Sequence, residues 1–159
     1  MAKPIALAAD HGGFELKEAV KAHLLGRGFE VVEFCEDPAD PMPYAEVAAR
    51  AAQGMLDAGC ERGILFCGTG MGVSLVANLF PGITAAVVES KFAARRCRYT
   101  NNANVLCMGS FLLGPVLACE MADEFLDTEW LQGADEGARE VLGQQMAFIR
   151  ELEAEINAL

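Results

Sequence analysis

Apolar and polar positions fall in alternating blocks along this chain. Residues 4–9 form a short apolar run that stops at Asp10-His11-Gly12-Gly13, which predicts a buried strand followed by a turn. Leu16, Ala19, Val20 and Leu24 then recur at helical spacing, with Glu15, Glu18 and Lys21 between them, and Gly26 and Gly28 mark the end. A second strand is expected over 29–34 and an acidic, proline-rich loop over 36–43. Tyr44, Val47, Ala48, Ala51 and Met55 make the next helical stripe, which stops at Gly59. Residues 63–67 read as a third strand, 68–72 as a tight glycine turn, 73–79 as a short helix and 83–88 as a fourth strand. A basic helix over 91–99, a fifth strand over 104–108 and a helix over 115–126 opened by Pro115 complete the series.

Strands separated in turn by helices imply a parallel sheet covered on both faces. Runs such as IALAA, ILFC and TAAVV fit strands buried on both sides. The whole chain, 1–159, reads as one α/β domain. Its tail, 134–159, differs. Leu142, Met146, Ile149, Leu152, Ile156 and Leu159 repeat at steps of three and four on an otherwise acidic helix. Such a seam can pack on its own sheet or on a second subunit, and a chain end fits the second slightly better.

Residues 63–88 carry no charged side chain, yet Gly63, Gly68, Gly70, Gly72, Asn78, Pro81 and Gly82 break them too often for a membrane span. The opening residues hold too short an apolar run for a signal peptide. Twelve Lys and Arg against 23 Asp and Glu leave a net charge of −11, which argues against a nucleic-acid partner. It does not argue against a small anionic substrate, which a few local charges can hold. Cys35, Cys60, Cys67, Cys97, Cys107 and Cys119 contain no C-x-x-C pair, so zinc-ribbon and thioredoxin readings fail. They fit small, mostly buried hydrophobes in a reducing cytoplasm. No cluster of His, Asp and Glu has metal-ligand spacing, so neither metal nor cofactor is expected.

In open parallel sheets, ligands bind at the carboxyl ends of strands where the strand order reverses. Two polar glycine turns follow the first and third strands here. If those strands are neighbours, Asp10-His11-Gly12-Gly13 faces Cys67-Gly68-Thr69-Gly70-Met71-Gly72 across one crevice. The second turn opens a helix whose unpaired N–H groups suit an anion or a developing oxyanion. Cys67, directly before those groups, should be a more acidic thiol than free cysteine and could act as nucleophile or base. The glycine turn alone, or a buried strand cysteine, is equally compatible with a purely structural role. Asp10 could instead cap a helix and His11 could be a turn residue. His23, mid-helix, reads as a packing or surface residue.

The ordered segments AADHGGFELKEAV, PYAEVA, GILFCGTGMGVSLVAN, PGITAAVV, NNANVLCMGS and GPVLA resemble the ribose-5-phosphate isomerase B / galactose-6-phosphate isomerase family. The resemblance implies a Rossmann-like three-layer αβα sandwich with a five-stranded sheet and an extra C-terminal helix. It also implies a homodimer or dimer of dimers built partly through the C-terminal segment, and a metal-free, cofactor-free aldose–ketose isomerisation. In that family's cysteine-bearing branch, the residue at Cys67 moves a proton between C1 and C2 through a cis-enediolate. Asp10 would hold a substrate hydroxyl, Thr69 and Ser74 would line the pocket, and Gly68, Gly70, Met71 and Gly72 would hold the enediolate oxygen. His11, Thr100, Asn101 and Arg139 complete the implied substrate-binding set.

Three departures bear on the substrate. Thr100 stands where the family carries a ring-opening histidine, and Phe111 where it carries an arginine. Its phosphate-gripping segment reads Gly133-Ala134-Asp135-Glu136-Gly137-Ala138-Arg139 here, with only Arg139 retained. These changes point away from ribose 5-phosphate and towards a short substrate such as a four-carbon sugar or its 4-phosphate. Arg95, Arg96 and Arg98 are candidate replacement cations. A non-catalytic sugar-binding module that kept the crevice is the alternative; a flavodoxin-like nucleotide protein lacks a fingerprint.

Overall fold

The computed structural model of the protein describes residues 3–35 and 42–158. Of the loop expected over 36–43, only Met42 and Pro43 fall within them, and Leu159 of the C-terminal seam lies outside. In chain order the elements are β1 (Ile5–Ala9), α1 (Phe14–Gly26), β2 (Val31–Glu33), α2 (Tyr44–Asp57), β3 (Arg62–Cys67), α3 (Met71–Ala77), β4 (Ala85–Val87), α4 (Lys91–Asn101), β5 (Val105–Gly109), α5 (Pro115–Leu126) and α6 (Glu136–Asn157). The strands form one parallel sheet ordered β2-β1-β3-β5-β4. Chain order therefore reverses between β1 and β3, and the two glycine turns emerge side by side there.

Why two layers of helix form is visible in the strands' alternation. Ile5, Leu7, Ile64, Phe66, Leu106 and Met108 point to the side covered by α1, α4 and α5, where Leu16, Val20, Met121 and Phe125 meet them. Ala6, Ala8, Leu65, Cys67, Val105 and Cys107 point to the other side, under Val47, Ala51 and Met55 of α2 and Val73 and Ala77 of α3. The result is the parallel sheet covered on both faces that the strand–helix spacing predicts, in the Rossmann-like α/β sandwich that the resemblance implies.

Element ends differ from the apolar pattern where a local bond takes over. β2 and β4 are shorter than the runs 29–34 and 83–88, since each is an edge strand with one neighbour. The Asn78 side chain claims both the N–H and the carbonyl of Ala85, at 2.8 and 2.9 Å, at the outer edge of β4. α4 runs past Tyr99 to Asn101 and ends at Asn102, whose left-handed backbone (φ 51°) turns its N–H to the Cys97 carbonyl. α6 begins at Glu136 because the Asp135 carboxylate accepts the Ala138 N–H at 2.8 Å.

The long helix α6 packs only in part on its own domain. Met146 is buried, and Glu153 accepts the Gly82 N–H at 3.1 Å. Ile149, Leu152 and Ile156 stay exposed and line a groove of about 390 Å³ with Leu79, Phe80 and Ile83. Among the described residues, no helix is long and apolar enough to cross a membrane.

One ion cluster fastens α1 to the edge strand. Lys17, 1 % exposed, bonds Glu33, which also pairs with Lys21, while the Glu18 carboxylate lies 2.9 Å from Lys17. Burial works to raise the Glu33 pKa, but the hydrogen bonds and charges of Lys17 and Lys21 outweigh it and hold the carboxyl below its usual value. Removing the carboxylate leaves a buried ammonium with the half-exposed Glu18 carboxylate and the Phe14 ring beside it. Glu33→Gln is expected to cost about 3 kcal/mol at neutral pH, the low end for a broken buried pair because Glu18 remains. A depressed carboxyl stabilises above its unfolded pKa, so the gap between parent and variant in urea titrations should be full above pH ~4.5 and close as the pH falls further.

Candidate active site

The crevice is assembled from the carboxyl ends of three adjacent strands. Register pairs Ala9 with Phe66 and Cys67 with Gly109, so Asp10, Gly68 and Ser110 leave β1, β3 and β5 within one residue of the same level. The Asp10 N–H donates to the Phe66 carbonyl at 3.2 Å, and the Ser110 N–H to that of Cys67 at 3.0 Å. The Ser110 hydroxyl donates to the Gly12 carbonyl at 2.6 Å, tying the first and last of these turns together.

Cys67 occupies the end of β3 and is 4 % exposed. Its Sγ accepts the Gly70 N–H at 3.0 Å, so the sulfur faces the first turn of α3. Gly70 can present that N–H because its backbone is left-handed (φ 76°), a conformation that favours glycine. The turn lies tightly on β5: a Cβ on Gly109 would stand 2.5–2.8 Å from the backbone of Thr69. Met71 N–H donates to Thr69 Oγ1 at 3.3 Å, and the Ser74 hydroxyl to the Met71 carbonyl at 2.8 Å. The glycine turn is therefore a rigid array of donors beside one sulfur.

Asp10 faces this array across the crevice. Its Oδ1 accepts the Gly13 N–H at 2.9 Å, so it caps the tight turn, and Gly13 itself is the N-cap of α1. A Cβ on Gly12 would lie 3.4 Å from Asp10 Oδ1 and 3.5 Å from the Gly68 nitrogen, which places the carboxylate close to the glycine turn. His11 is exposed on the same turn. His23 is half-buried and meets Asp123 at 2.8 Å, away from the crevice.

Two aromatic rings flank the glycine turn. Tyr44, at the start of α2, packs on Gly72, and Phe111 packs on Gly68. Tyr44 and Ser110 are absent from the set of residues expected from sequence. Tyr44 reads there as part of an apolar stripe. Ser110 is detectable only by applying the strand-end rule to β5 as well as to β1 and β3.

The remaining expected residues are not brought to Cys67 within one chain. α4 descends from the end of β4 to the start of β5, so Thr100 and Asn101 lie at the amino edge of the sheet, where Asn104 bonds Gly63. The Thr100 hydroxyl donates to the Arg96 carbonyl at 2.7 Å. Leu131 N–H bonds the Tyr99 carbonyl at 3.2 Å, which brings the loop before Arg139 to the same edge. Arg98 is a structural group: it is buried and donates to Asn102 Oδ1 and the Ala103 carbonyl at 2.6 and 3.0 Å. Arg96 stacks on Tyr99, and Arg95 is exposed.

Burial pushes Cys97 up to about 11 and raises Cys107 further, with smaller upward shifts at Cys35, Cys60 and Cys119. Among the described residues, no group of three or more His, Cys, Asp or Glu is placed to hold a metal.

Residues 5–141 match the model of the Ribose/Galactose Isomerase family. A 4-deoxy-4-sulfo-D-erythrose isomerase from Clostridium sp. (strain MSTE9) is 44% identical, covering 87% of this chain and 92% of its own. A D-erythrulose-4-phosphate isomerase from Pectobacterium atrosepticum is 37% identical over the same shares. The solved structure of ribose-5-phosphate isomerase B from Clostridium thermocellum superposes with a TM-score of 0.86 at 34% identity, covering 96% of this chain and 99% of that one.

The contact between Gly109 and Thr69 makes a specific expectation. Gly109→Ala forces the glycine turn off β5 and should cost about 1–3 kcal/mol of stability, as overpacking usually does. Urea denaturation measures the cost; an unchanged midpoint would show that the turn can yield.

Proposed function

The chain belongs to the ribose/galactose isomerase family and is an aldose–ketose sugar isomerase, and from that premise we propose that its substrate is a four-carbon sugar with an anionic group on C4. Cys67, as thiolate, takes the proton from C2 of the aldose. The C–H electrons form the C1–C2 double bond, and O1 carries the resulting charge. Backbone N–H groups of the 68–72 turn, other than those of Gly70 and Met71 that serve Cys67 and Thr69, hold that oxygen; one such donor is typically worth ~2.7–4 kcal/mol of barrier. The carbon proton returns to C1 while the O2 hydroxyl proton passes to O1, which leaves the ketone at C2. Asp10 holds the hydroxyls in the cis arrangement this requires, and Thr69 and Ser74 line the pocket. The observation that carries this reading is the Cys67 sulfur held by the Gly70 N–H opposite the Asp10 turn.

Substrate length follows from two residues. A sugar whose C4 bears a phosphate ester or a sulfonate in place of the hydroxyl cannot close a furanose through O4. It needs no ring-opening acid, which suits Thr100, a hydroxyl that cannot titrate near neutral pH as an imidazole does. Both named relatives act on four-carbon sugars of this kind. A sulfonate carries a single charge against about 1.5–2 for a phosphate. The chain's Phe111, Asp135 and Glu136, with Arg98 committed to the fold, fit the smaller charge, so 4-deoxy-4-sulfo-erythrose ranks first and erythrose 4-phosphate second. A cytoplasmic setting suits the six free thiols.

Assembly is part of the same proposal. Thr100, Asn101 and Arg139 sit at the amino edge of the sheet, so they reach a crevice only in another copy of the chain. The exposed apolar groove along α6 supports a homodimer or dimer of dimers. Sedimentation of the intact chain should report at least a dimer at micromolar concentration. A monomer there would contradict this assembly.

Kinetics on 4-deoxy-4-sulfo-erythrose, erythrose 4-phosphate and ribose 5-phosphate, with proton exchange from solvent, test the chemistry. The four-carbon substrates are expected to be preferred, with turnover indifferent to chelators, and Cys67→Ala should abolish turnover while ligand binding persists. A clear preference for ribose 5-phosphate at ~10⁴ M⁻¹s⁻¹ or more would overturn the substrate assignment. Near-normal turnover in Cys67→Ala would overturn the base.

A further inference from the structure

Phe111 follows Ser110 on the turn that leaves β5, and 78 % of it is exposed. A ring this open gains little from burial, so core packing does not account for it. Its backbone is nonetheless pinned. The Phe111 N–H donates to the Gly68 carbonyl at 2.9 Å, and the N–H groups of Leu112 and Leu113 donate to the Gly109 carbonyl at 3.1 and 3.0 Å. Placement of the ring is equally definite. A Cβ on Gly68 would stand 2.5 Å from Phe111 Cε2 and 2.9 Å from Cζ, so the ring edge lies on the bare Cα of Gly68.

Gly68 is the residue directly after Cys67. Its nitrogen faces the Asp10–Gly12 turn, and its Cα faces the Phe111 ring. A sugar with C1 and C2 at the Cys67 sulfur has to run its remaining carbons between such boundaries. Each further carbon carries the terminal anion farther along them. An aromatic edge offers that anion no hydrogen bond, and desolvating a phosphate against hydrocarbon is costly.

We propose that Phe111 is a specificity-determining residue whose ring forms an apolar wall beside Gly68, admitting a four-carbon chain and selecting against a five-carbon chain that ends in phosphate. This rests on the four-carbon reading above and adds the element that enforces it. The wall acts through bulk and apolarity at the crevice mouth, so it alters which sugar is accepted and leaves the proton-transfer groups untouched.

The test compares kcat/KM for ribose 5-phosphate with that for whichever four-carbon substrate, erythrose 4-phosphate or 4-deoxy-4-sulfo-erythrose, the parent turns over faster. Phe111→Ala is expected to raise the ratio in favour of ribose 5-phosphate by about tenfold or more, the scale of discrimination that one carbon in a pocket supports. Phe111→Tyr, which keeps the ring, should retain the parent ratio, and Phe111→Leu should fall between the two. An unmoved ratio in Phe111→Ala and Phe111→Leu, with or without a change in sedimentation, would overturn the proposal. So would a Phe111→Tyr variant as permissive as Phe111→Ala. A parent inactive on every four-carbon substrate would overturn the substrate reading and the wall together, whereas an active parent with an unmoved ratio overturns the wall alone.

Discussion

Backbone packed directly on backbone at the sheet's carboxyl edge is the constraint on which the site depends. Asp10, Gly68 and Ser110 leave three adjacent strands within one residue of the same level, and their turns are held together by peptide groups. Asp10 and Ser110 donate to the carbonyls of Phe66 and Cys67, and the Ser110 hydroxyl reaches the Gly12 carbonyl. Side chains would hold these turns apart. A Cβ on Gly13 would meet the Phe66–Cys67 peptide at 2.6–2.7 Å, and one on Gly109 would meet Thr69 at 2.5 Å. The glycines are therefore what allows one sulfur, one carboxylate and a row of N–H donors to converge. Electrostatic catalysis needs such donors fixed before charge develops.

Charge distribution completes the physical picture. A chain with net charge −11 that is proposed to handle an anion must place its cations with care. Much of its basic complement is already committed to structure. Lys17 and Lys21 hold Glu33, Arg27 holds Asp123 and Asp127, and Arg62 reaches Glu129 and the end of α5. Arg98 closes the end of α4. Few cations remain for a ligand, which is consistent with a substrate of low charge and with an apolar ring at the crevice mouth.

Much of this was legible in the chain. The apolar runs, the glycine turns and the C-terminal seam located the strands and helices found among the described residues. DHGG and CGTGMG marked the two turns that would meet if β1 and β3 were neighbours, and the sheet order made them so. Element ends were less legible because single side chains decide them: Asn78 at β4, Asn102 at α4 and Asp135 at α6. Ser110 and Tyr44 went unread because a serine after a strand and an aromatic residue in a helical stripe carry no local signature.

Sequence by itself determined the layered α/β architecture and the cysteine at a strand end before a donor-rich turn. These are properties of residue type and spacing, which act locally. Tertiary structure alone decided which distant residues share a space. It set Phe111 on Gly68, bound the Asp10 carboxylate to its own turn, and enclosed Arg98. It also put Thr100 and Arg139 at the opposite edge of the sheet from Cys67, because a helix between parallel strands must run back down the sheet before the next strand begins.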